Sequence, residues 1–169
     1  MTTGIRVEQI GAIDEGLERE LAGLLTVVVE DGASVGFLPP LSEAEAVEYW
    51  RGVPGEGVIL WAAWDEGGIA GSVQLHLALK PNGLHRAEIA KLMVHPERRR
   101  RGIARLLMET AEAYASADGR ALLVLDTREG DPSNLLYQSL GYVEAGRIPG
   151  YARSADGELH ETVFYYKKL

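Results

Sequence analysis

The spacing of apolar positions switches period several times along the chain, and each switch marks an element. A short run from Ile5 to Ile10 predicts a first strand. Leu17, Leu21, Leu24, Leu25 and Val28 then recur at helical spacing, which predicts an amphipathic helix over about Asp14–Glu30. The segment Asp31-Gly-Ala-Ser-Val-Gly-Phe-Leu-Pro-Pro ends that helix with glycines and prolines. Ser42 and Glu45 form a capping-box pair that opens a second helix reaching about Arg51. Two strand-like runs follow, Val58–Trp64 and Ile69–Leu79, joined by the hairpin signal Asp65-Glu-Gly-Gly and so expected to pair antiparallel. After a loop containing Lys80-Pro-Asn-Gly comes a third run, Ala87–Val94.

A helix is expected from Gly102 to about Ala117, with Ile103, Leu106, Leu107, Ala111, Tyr114 and Ala115 on one face. Gly119 stops it, and Ala121–Asp126 is a nearly all-apolar run of the kind buried on both faces. Strand, helix and apolar strand read as a βαβ unit with parallel strands. A short helix over about Ser133–Leu140, ended by Gly141, precedes two last strands near Tyr142–Arg147 and Glu161–Lys167. With no repeat, low-complexity tract or linker, residues 1–169 are expected to form one α+β domain. Its sheet of six or seven strands is mixed and mostly antiparallel, with a parallel centre and about four flanking helices.

Charge and composition narrow the partners. Lys and Arg number 17 against 25 Asp and Glu, a net charge of −8, which disfavours nucleic acid and anionic membranes as partners except at a local basic patch. Absence of cysteine excludes disulfides, thiolate metal sites and a cysteine nucleophile. Gly23 and Thr26 interrupt the longest apolar stretch, Leu21–Val29, which is too short to span a bilayer. The N-terminal Met1-Thr-Thr-Gly-Ile-Arg has no apolar signal core. A soluble, cytoplasmic protein with no membrane contact is the expectation.

One junction concentrates chemistry. In Val94-His-Pro-Glu-Arg-Arg-Arg-Arg-Gly-Ile-Ala-Arg a strand ends, a basic loop follows, and a helix opens at a glycine. A helix N-terminus presents unpaired N–H groups and a positive dipole end, which suit a phosphate. Gly102 admits the anion close to the backbone and Ala104 keeps the next turn small. The bland alternative is a solvated charged face. No Gly-Lys-Ser/Thr follows, which excludes a P-loop, and the glycine spacing of a Rossmann site is absent.

Arg99-Arg-Arg-Gly102-Ile-Ala104 resembles the Arg/Gln-x-x-Gly-x-Gly/Ala signature of the GNAT superfamily of N-acetyltransferases. Asn134-Leu-Leu-Tyr137-Gln-Ser-Leu-Gly141-Tyr142 is similar to a second family segment, Asn-x-x-Tyr-x-x-x-Gly-Phe/Tyr. The resemblance covers essentially the whole chain in element order. Several segments, Gly32–Phe37, His85–Leu92, Leu122–Thr127, Gly146–Tyr151 and Thr162–Leu169, are most similar to the tabtoxin resistance protein branch, which acetylates a β-lactam amino-acid toxin.

The resemblance implies a GNAT-type fold whose fourth and fifth strands splay apart. It implies acetyl-CoA as cosubstrate, its pyrophosphate wrapped by Arg99, Arg100, Arg101, Gly102, Ile103, Ala104 and Arg105, with Asn134 also on the donor. Backbone groups of Leu92, Met93 and Val94 would pair with the pantetheine arm, and an N–H near Met93 or Val94 would polarise the thioester carbonyl. It also allows a homodimer.

Acetyl transfer needs a neutral amine and a proton for the leaving thiolate. Tyr137 is the candidate acid, since a phenol of pKa ~10 can protonate a thiolate; otherwise it fills a helix face with Leu136 and Leu140. The family position favours the acid. Glu88 and Asp126 interrupt apolar strands, where a charge is costly unless paired or functional. Alternation groups Glu88 with Ala90 and Leu92, and Asp126 with Val124 and Leu122. Both are candidates to hold the acceptor ammonium and take its proton. The alternatives are an ion pair of Glu88 with Arg86 or Lys91, and a strand-end cap by Asp126.

His95 before Pro96 reads as structural, and His76, His85 and His160 show no metal-ligand spacing, so no metal is expected. Ser34 in the Gly-Ala-Ser-Val-Gly-Phe loop and Gln74 in an apolar strand are candidate acceptor contacts. The leading reading is acetylation of a small-molecule amine. Acetylation of a protein N-terminus or lysine, a non-catalytic CoA-binding module and a nucleic-acid contact are the alternatives.

Overall fold

The computed structural model describes residues 4–169, so the Met1–Thr3 start of the N-terminal segment lies outside the described residues. Strands and helices follow the order β1 (Arg6–Ile10), α1 (Glu15–Glu30), α2 (Glu43–Arg51), β2 (Val58–Asp65), β3 (Gly68–Leu77), β4 (Arg86–Val94), α3 (Ile103–Ala117), β5 (Leu122–Arg128), α4 (Ser133–Ser139), β6 (Val143–Arg153) and β7 (Leu159–Lys168). One sheet holds all seven strands in the order β1-β2-β3-β4-β5-β7-β6. Only β4 and β5 run parallel, so the expected mixed sheet with a parallel centre is what forms.

Local chemistry explains where the helices begin. Asp14 accepts from the Leu17 N–H at 2.8 Å to open α1. Ser42 and Glu45 close the expected capping box at α2, with backbone-to-side-chain bonds of 2.9 and 3.1 Å. By contrast, α3 opens on Gly102 at φ +81° with no side-chain cap. Periodicity then decides which face is buried. From α3, Ile103, Leu107, Met108, Ala111 and Ala115 pack on one side of the sheet with Trp61, Leu75, Ala87, Ile89, Leu123 and Leu125. From α1 and α2, Leu21, Leu24, Leu25, Val28 and Trp50 pack on the other, with Leu60, Ala62 and Met93.

Two irregularities shape the centre. β4 pairs with β5 only at Arg86–Leu122, Ala87–Leu123 and Glu88–Val124, and beyond Glu88 the two strands part. On its other edge β4 carries a bulge: Gln74 faces Ala90 and Ser72 faces Met93, so three steps along β4 match two along β3. Lys91 lies within it at φ +54°. The extra residue reverses the facing of side chains beyond it. Ile89 and Leu92 both lie on the α3 side, whereas Met93 joins the α1/α2 side. The expectation that Leu92 shares a face with Glu88 is therefore corrected, because alternation fails across a bulge.

Strand ends differ in three places. β3 stops at Leu77, and β5 runs on to Arg128, which puts Asp126 inside a strand opposite Phe164 rather than at its end. β6 extends to Arg153 through Pro149 and Gly150, past the expected end at Arg147. Its pairing with β7 is irregular between Ile148 and Ala152. As the outer strand of the sheet, β6 accommodates a proline that a central strand would not.

Candidate active site

Glu88 and Asp126 project from β4 and β5 toward the α1/α2 side, since their neighbours Ala87, Ile89, Leu123 and Leu125 all pack against α3. Each is reached by solvent from the gap where the strands part, yet protein crowds the rest of its surroundings. That partial desolvation pushes both carboxyl pKa values above the ordinary carboxylate range. Glu88 is pushed further by the charge of Asp126, while Lys91 pulls both back down. Among the described residues no hydrogen bond stabilises either carboxylate. The ion-pair reading of Glu88 and the cap reading of Asp126 are therefore not what the structure contains.

Tyr137 on α4 is 5% exposed, within an aromatic group containing Tyr142 and Tyr165 at ring-centroid distances of 5.9 and 6.0 Å. Burial raises its pKa, and Asp126, Asp131 and Tyr165 add to that, so the phenol keeps its proton throughout the neutral range. Asn134, one turn earlier, is an internal brace. Its Nδ2 donates to the Arg128 and Asp131 carbonyls, both at 2.9 Å, and its Oδ1 accepts from the Tyr165 hydroxyl at 2.8 Å. Through these bonds Asn134 holds α4 and the Tyr137 it carries.

The basic loop lies at the opposite end of β4. His95 accepts from the Glu97 N–H at 3.2 Å, which confirms its structural part in the turn Pro96–Arg98. Arg100 is left-handed at φ +62°, and so is Gly102. The first-turn N–H groups of α3, from Ile103, Ala104 and Arg105, have no side-chain cap. Much of the arginine charge is already matched. Arg98 and Arg101 share Asp65 at 3.1 and 2.8 Å, and Arg99 meets Asp31 at 2.8 Å. Arg105 reaches Ser139 on α4 at 2.5 Å. The loop is thus less a free cationic patch than a scaffold that fixes the backbone around an open helix N-terminus.

The model of the acetyltransferase (GNAT) family matches residues 29–142. The uncharacterized N-acetyltransferase in the hisH–hisA intergenic region of Azospirillum brasilense is 33% identical over 132 residues, covering 75% of this chain and 77% of the relative. The chain belongs to the GNAT acetyltransferase family. Its fold is matched by a GCN5-related N-acetyltransferase from Kribbella flavida at a TM-score of 0.81, with 20% identity over the whole of both chains. It is matched also by yncA from Salmonella typhimurium, solved with its cofactor acetyl-CoA, at a TM-score of 0.79 and 14% identity, covering 99% of this chain and 95% of that one. The chain is therefore an N-acetyltransferase, of the acyltransferase class EC 2.3.1.

In this GNAT enzyme the acids belong to a larger polar group that the sequence did not reveal. Gln74 Nε2 donates to the Tyr49 hydroxyl at 2.9 Å, which leaves Gln74 Oε1 as the acceptor for His76 Nε2 at 2.8 Å. His76 therefore carries its proton on Nε2. Burial, with the nearby Lys91, lowers the His76 pKa, so the ring is neutral at pH 7. The chain Tyr49–Gln74–His76 ends at the strand position paired with Glu88 across β3 and β4. Gln74 is 1% exposed, with its amide engaged at both ends. Ser34 is exposed on the loop after α1.

Lys91 is the other residue sequence reading passed over, weighing it only as an ion-pair partner for Glu88. Its Nζ donates to the Val35 carbonyl at 2.6 Å and lies 5.6 Å from the Phe37 ring and 6.0 Å from the Tyr49 ring. Only the bulge gives it that direction. Among the described residues no group of three or more His, Asp or Glu is placed to hold a metal ion, and no helix is long and apolar enough to cross a membrane.

Proposed function

We propose that this N-acetyltransferase transfers the acetyl group of acetyl-CoA directly to the amine of a small molecule, with donor and acceptor bound together. The observation that carries this reading is the placement of Glu88 and Asp126 on one side of the point where β4 and β5 part. The residues on the donor side fit acetyl-CoA. The open N-terminus of α3 after Gly102 suits its pyrophosphate, and β4 beyond Glu88 has no β5 partner, which leaves the edge at Leu92, Met93 and Val94 for the pantetheine arm. The acetyl-CoA bound by yncA supports the same assignment. Acetyl-CoA supplies the activated acyl group.

The chain's own groups handle the protons. Glu88 and Asp126 attract the acceptor as its ammonium, and Glu88, the acid raised by its neighbour's charge, takes the proton. An N–H at Met93 or Val94 is suited to stabilise charge on the carbonyl oxygen. Tyr137, protonated across the neutral range, is suited to protonate the departing thiolate. The Gly32–Phe37 loop supports a compact acceptor, since Arg128 and Lys91 fasten it by bonds to the Gly32 and Val35 carbonyls. Ser34 on that loop is a candidate acceptor contact. A β-lactam amino-acid toxin of the kind handled by the tabtoxin resistance branch fits this reading, with the enzyme working in the cytoplasm as a monomer or homodimer.

Calorimetric titration with acetyl-CoA, with dephospho-CoA and ATP as controls, comes first. Micromolar binding at one site per chain that ATP does not reproduce is expected. Absence of binding overturns the donor assignment and every proton role above. A thiol-release panel then offers small amines and a peptide with a free N-terminus; turnover of the peptide alone overturns the small-molecule reading.

A further inference from the structure

We propose that Lys91 is a positioning residue for acetyl transfer: its ammonium fastens the Gly32–Phe37 loop beside the acceptor groove and is the resident counter-cation of Glu88 and Asp126. This rests on the acetyltransferase reading above. Three independent features of the backbone converge on that ammonium. The β4 bulge directs Lys91 to the acceptor side through a left-handed residue that is not glycine, a conformation disfavoured for a lysine and so held by its surroundings. The Val35 carbonyl accepts from it at 2.6 Å. Gly36, at φ +91°, passes so near that a Cβ there would lie 2.8 Å from Nζ. The loop is shaped around a cation.

The groups facing it come from β4, β5, β3, α2 and the loop itself. Glu88 on β4 and Asp126 on β5 are the two anions that act on it, neutral His76 lies on β3, and Tyr49 on α2 and Phe37 on the loop present aromatic rings. Neither carboxylate approaches it as a contact ion pair; both act through space. Burial lowers the Lys91 pKa while Asp126 and Glu88 raise it, and in return Lys91 lowers the pKa of both carboxyls. The same cation disfavours the ammonium form of a bound acceptor amine. Both effects move proton transfer toward lower pH.

The test is the pH dependence of kcat in Lys91→Met and Lys91→Arg, with acetyl-CoA affinity measured in parallel. Lys91→Met is expected to move the ascending limb alkaline by ~1 pH unit, with the donor Kd unchanged, and Lys91→Arg to return the limb toward the wild-type position even if kcat is lower. A limb that stays in place in Lys91→Met, or that Lys91→Arg fails to return, overturns the proposal. If Lys91→Met does not fold, NMR titration of the lysine ¹³Cε signal decides: linkage requires the Lys91 midpoint to fall in Glu88→Gln and in Asp126→Asn. A midpoint unmoved in both overturns the coupling. Wild-type enzyme that neither binds acetyl-CoA nor turns over is a failure of the function itself; wild-type turnover with an unmoved limb is a failure of Lys91 alone.

Discussion

Glu88 and Asp126 stand two residues out of register on neighbouring parallel strands, Glu88 at the last paired position and Asp126 just past it. That offset separates their surroundings. Asp126 is raised by desolvation alone and restrained by Lys91, whereas Glu88 is raised by desolvation and again by Asp126. Both carboxyls are displaced upward, toward the pH at which a base works well, and the charge of Asp126 acts on Glu88 in the same direction. Glu88→Gln is expected to lower kcat by about 10²-fold or more, in the range of general-base catalysis, with acetyl-CoA affinity unchanged. Steady-state kinetics beside calorimetry checks this; a loss confined to donor binding assigns Glu88 a structural part instead.

Asp126→Asn tests that coupling with a signed readout. Removing the Asp126 charge removes one cause of the upward displacement of Glu88, so the ascending limb of the kcat–pH profile is expected to move acidic. That is opposite in sign to the effect of removing Lys91. A limb that stays in place or moves alkaline in Asp126→Asn overturns the coupling, and loss of the limb together with activity assigns the titrating base to Asp126 instead of Glu88.

The two acids should also be visible in stability. A carboxyl whose folded-state pKa lies above its unfolded value destabilises the fold where it is ionised, and the penalty disappears as pH falls through the folded pKa. Glu88→Gln is therefore expected to raise Tm at pH 8, with the gain shrinking toward pH 4. Solvent reaches the side chain, so the gain stays below about 1 kcal/mol, no more than ~2–4 °C. Calorimetric unfolding at the two pH values measures it. An equal change at both marks a packing effect with no bearing on ionisation.

Tyr137 carries its proton because burial and neighbouring charge both oppose the phenolate. Tyr137→Phe keeps the ring contacts with Tyr142 and Tyr165 and removes only the hydroxyl. A fall in kcat of about 10²-fold with unchanged acetyl-CoA Kd is the expected outcome. An equally active variant would falsify the acid role and leave Tyr137 as a core residue.

Elements were legible where one period ran uninterrupted. α1, α2, the β2–β3 hairpin and the β4–α3–β5 unit emerged because apolar spacing, caps and turn residues agreed. The site was legible only in part. Glu88 and Asp126 stood out as charges in apolar strands, and Gly102 as a glycine opening a helix. Lys91 did not, because its direction depends on a bulge that no local pattern announces; strict alternation even assigned Leu92 to the wrong face. His76 was passed over because its relation to Glu88 is a matter of strand register, which spacing along one strand does not contain. The internal hydrogen bonds of Asn134 and Gln74 that tie α4 to β7 and β3 to α2 were not legible because they join elements far apart in sequence. The extension of β6 through Pro149 and Gly150 was hidden because those residues end a strand anywhere but at a sheet edge.

Asp65 on the β2–β3 hairpin connects that turn to the donor loop. Its carboxylate is 6% exposed, accepts from the Gly67 N–H at 2.8 Å and from Arg101 at 2.8 Å, and is ion-paired with Arg98 at 3.1 Å. Burial alone would raise its pKa, but the two hydrogen bonds and the charges of Arg98 and Arg101 outweigh that and hold it below the usual carboxylate range. A depressed folded-state pKa contributes stability that is present above the unfolded value near ~4 and lost as pH falls through the folded one. Asp65→Asn should therefore lower Tm at pH 7, and the difference from wild type should narrow at acid pH. Releasing Arg98 and Arg101 also loosens the backbone ahead of Gly102, so acetyl-CoA is expected to bind several-fold more weakly while kcat at saturating donor is kept. Gly102→Val is the stronger perturbation. A β-branched residue at φ +81° carries left-handed strain of about 1–2 kcal/mol, and its side chain blocks the approach of an anion to the α3 N-terminus. Loss of acetyl-CoA binding in Gly102→Val, with weakened binding in Asp65→Asn, places the donor on this loop. Intact binding in Gly102→Val, measured on folded protein, places it elsewhere.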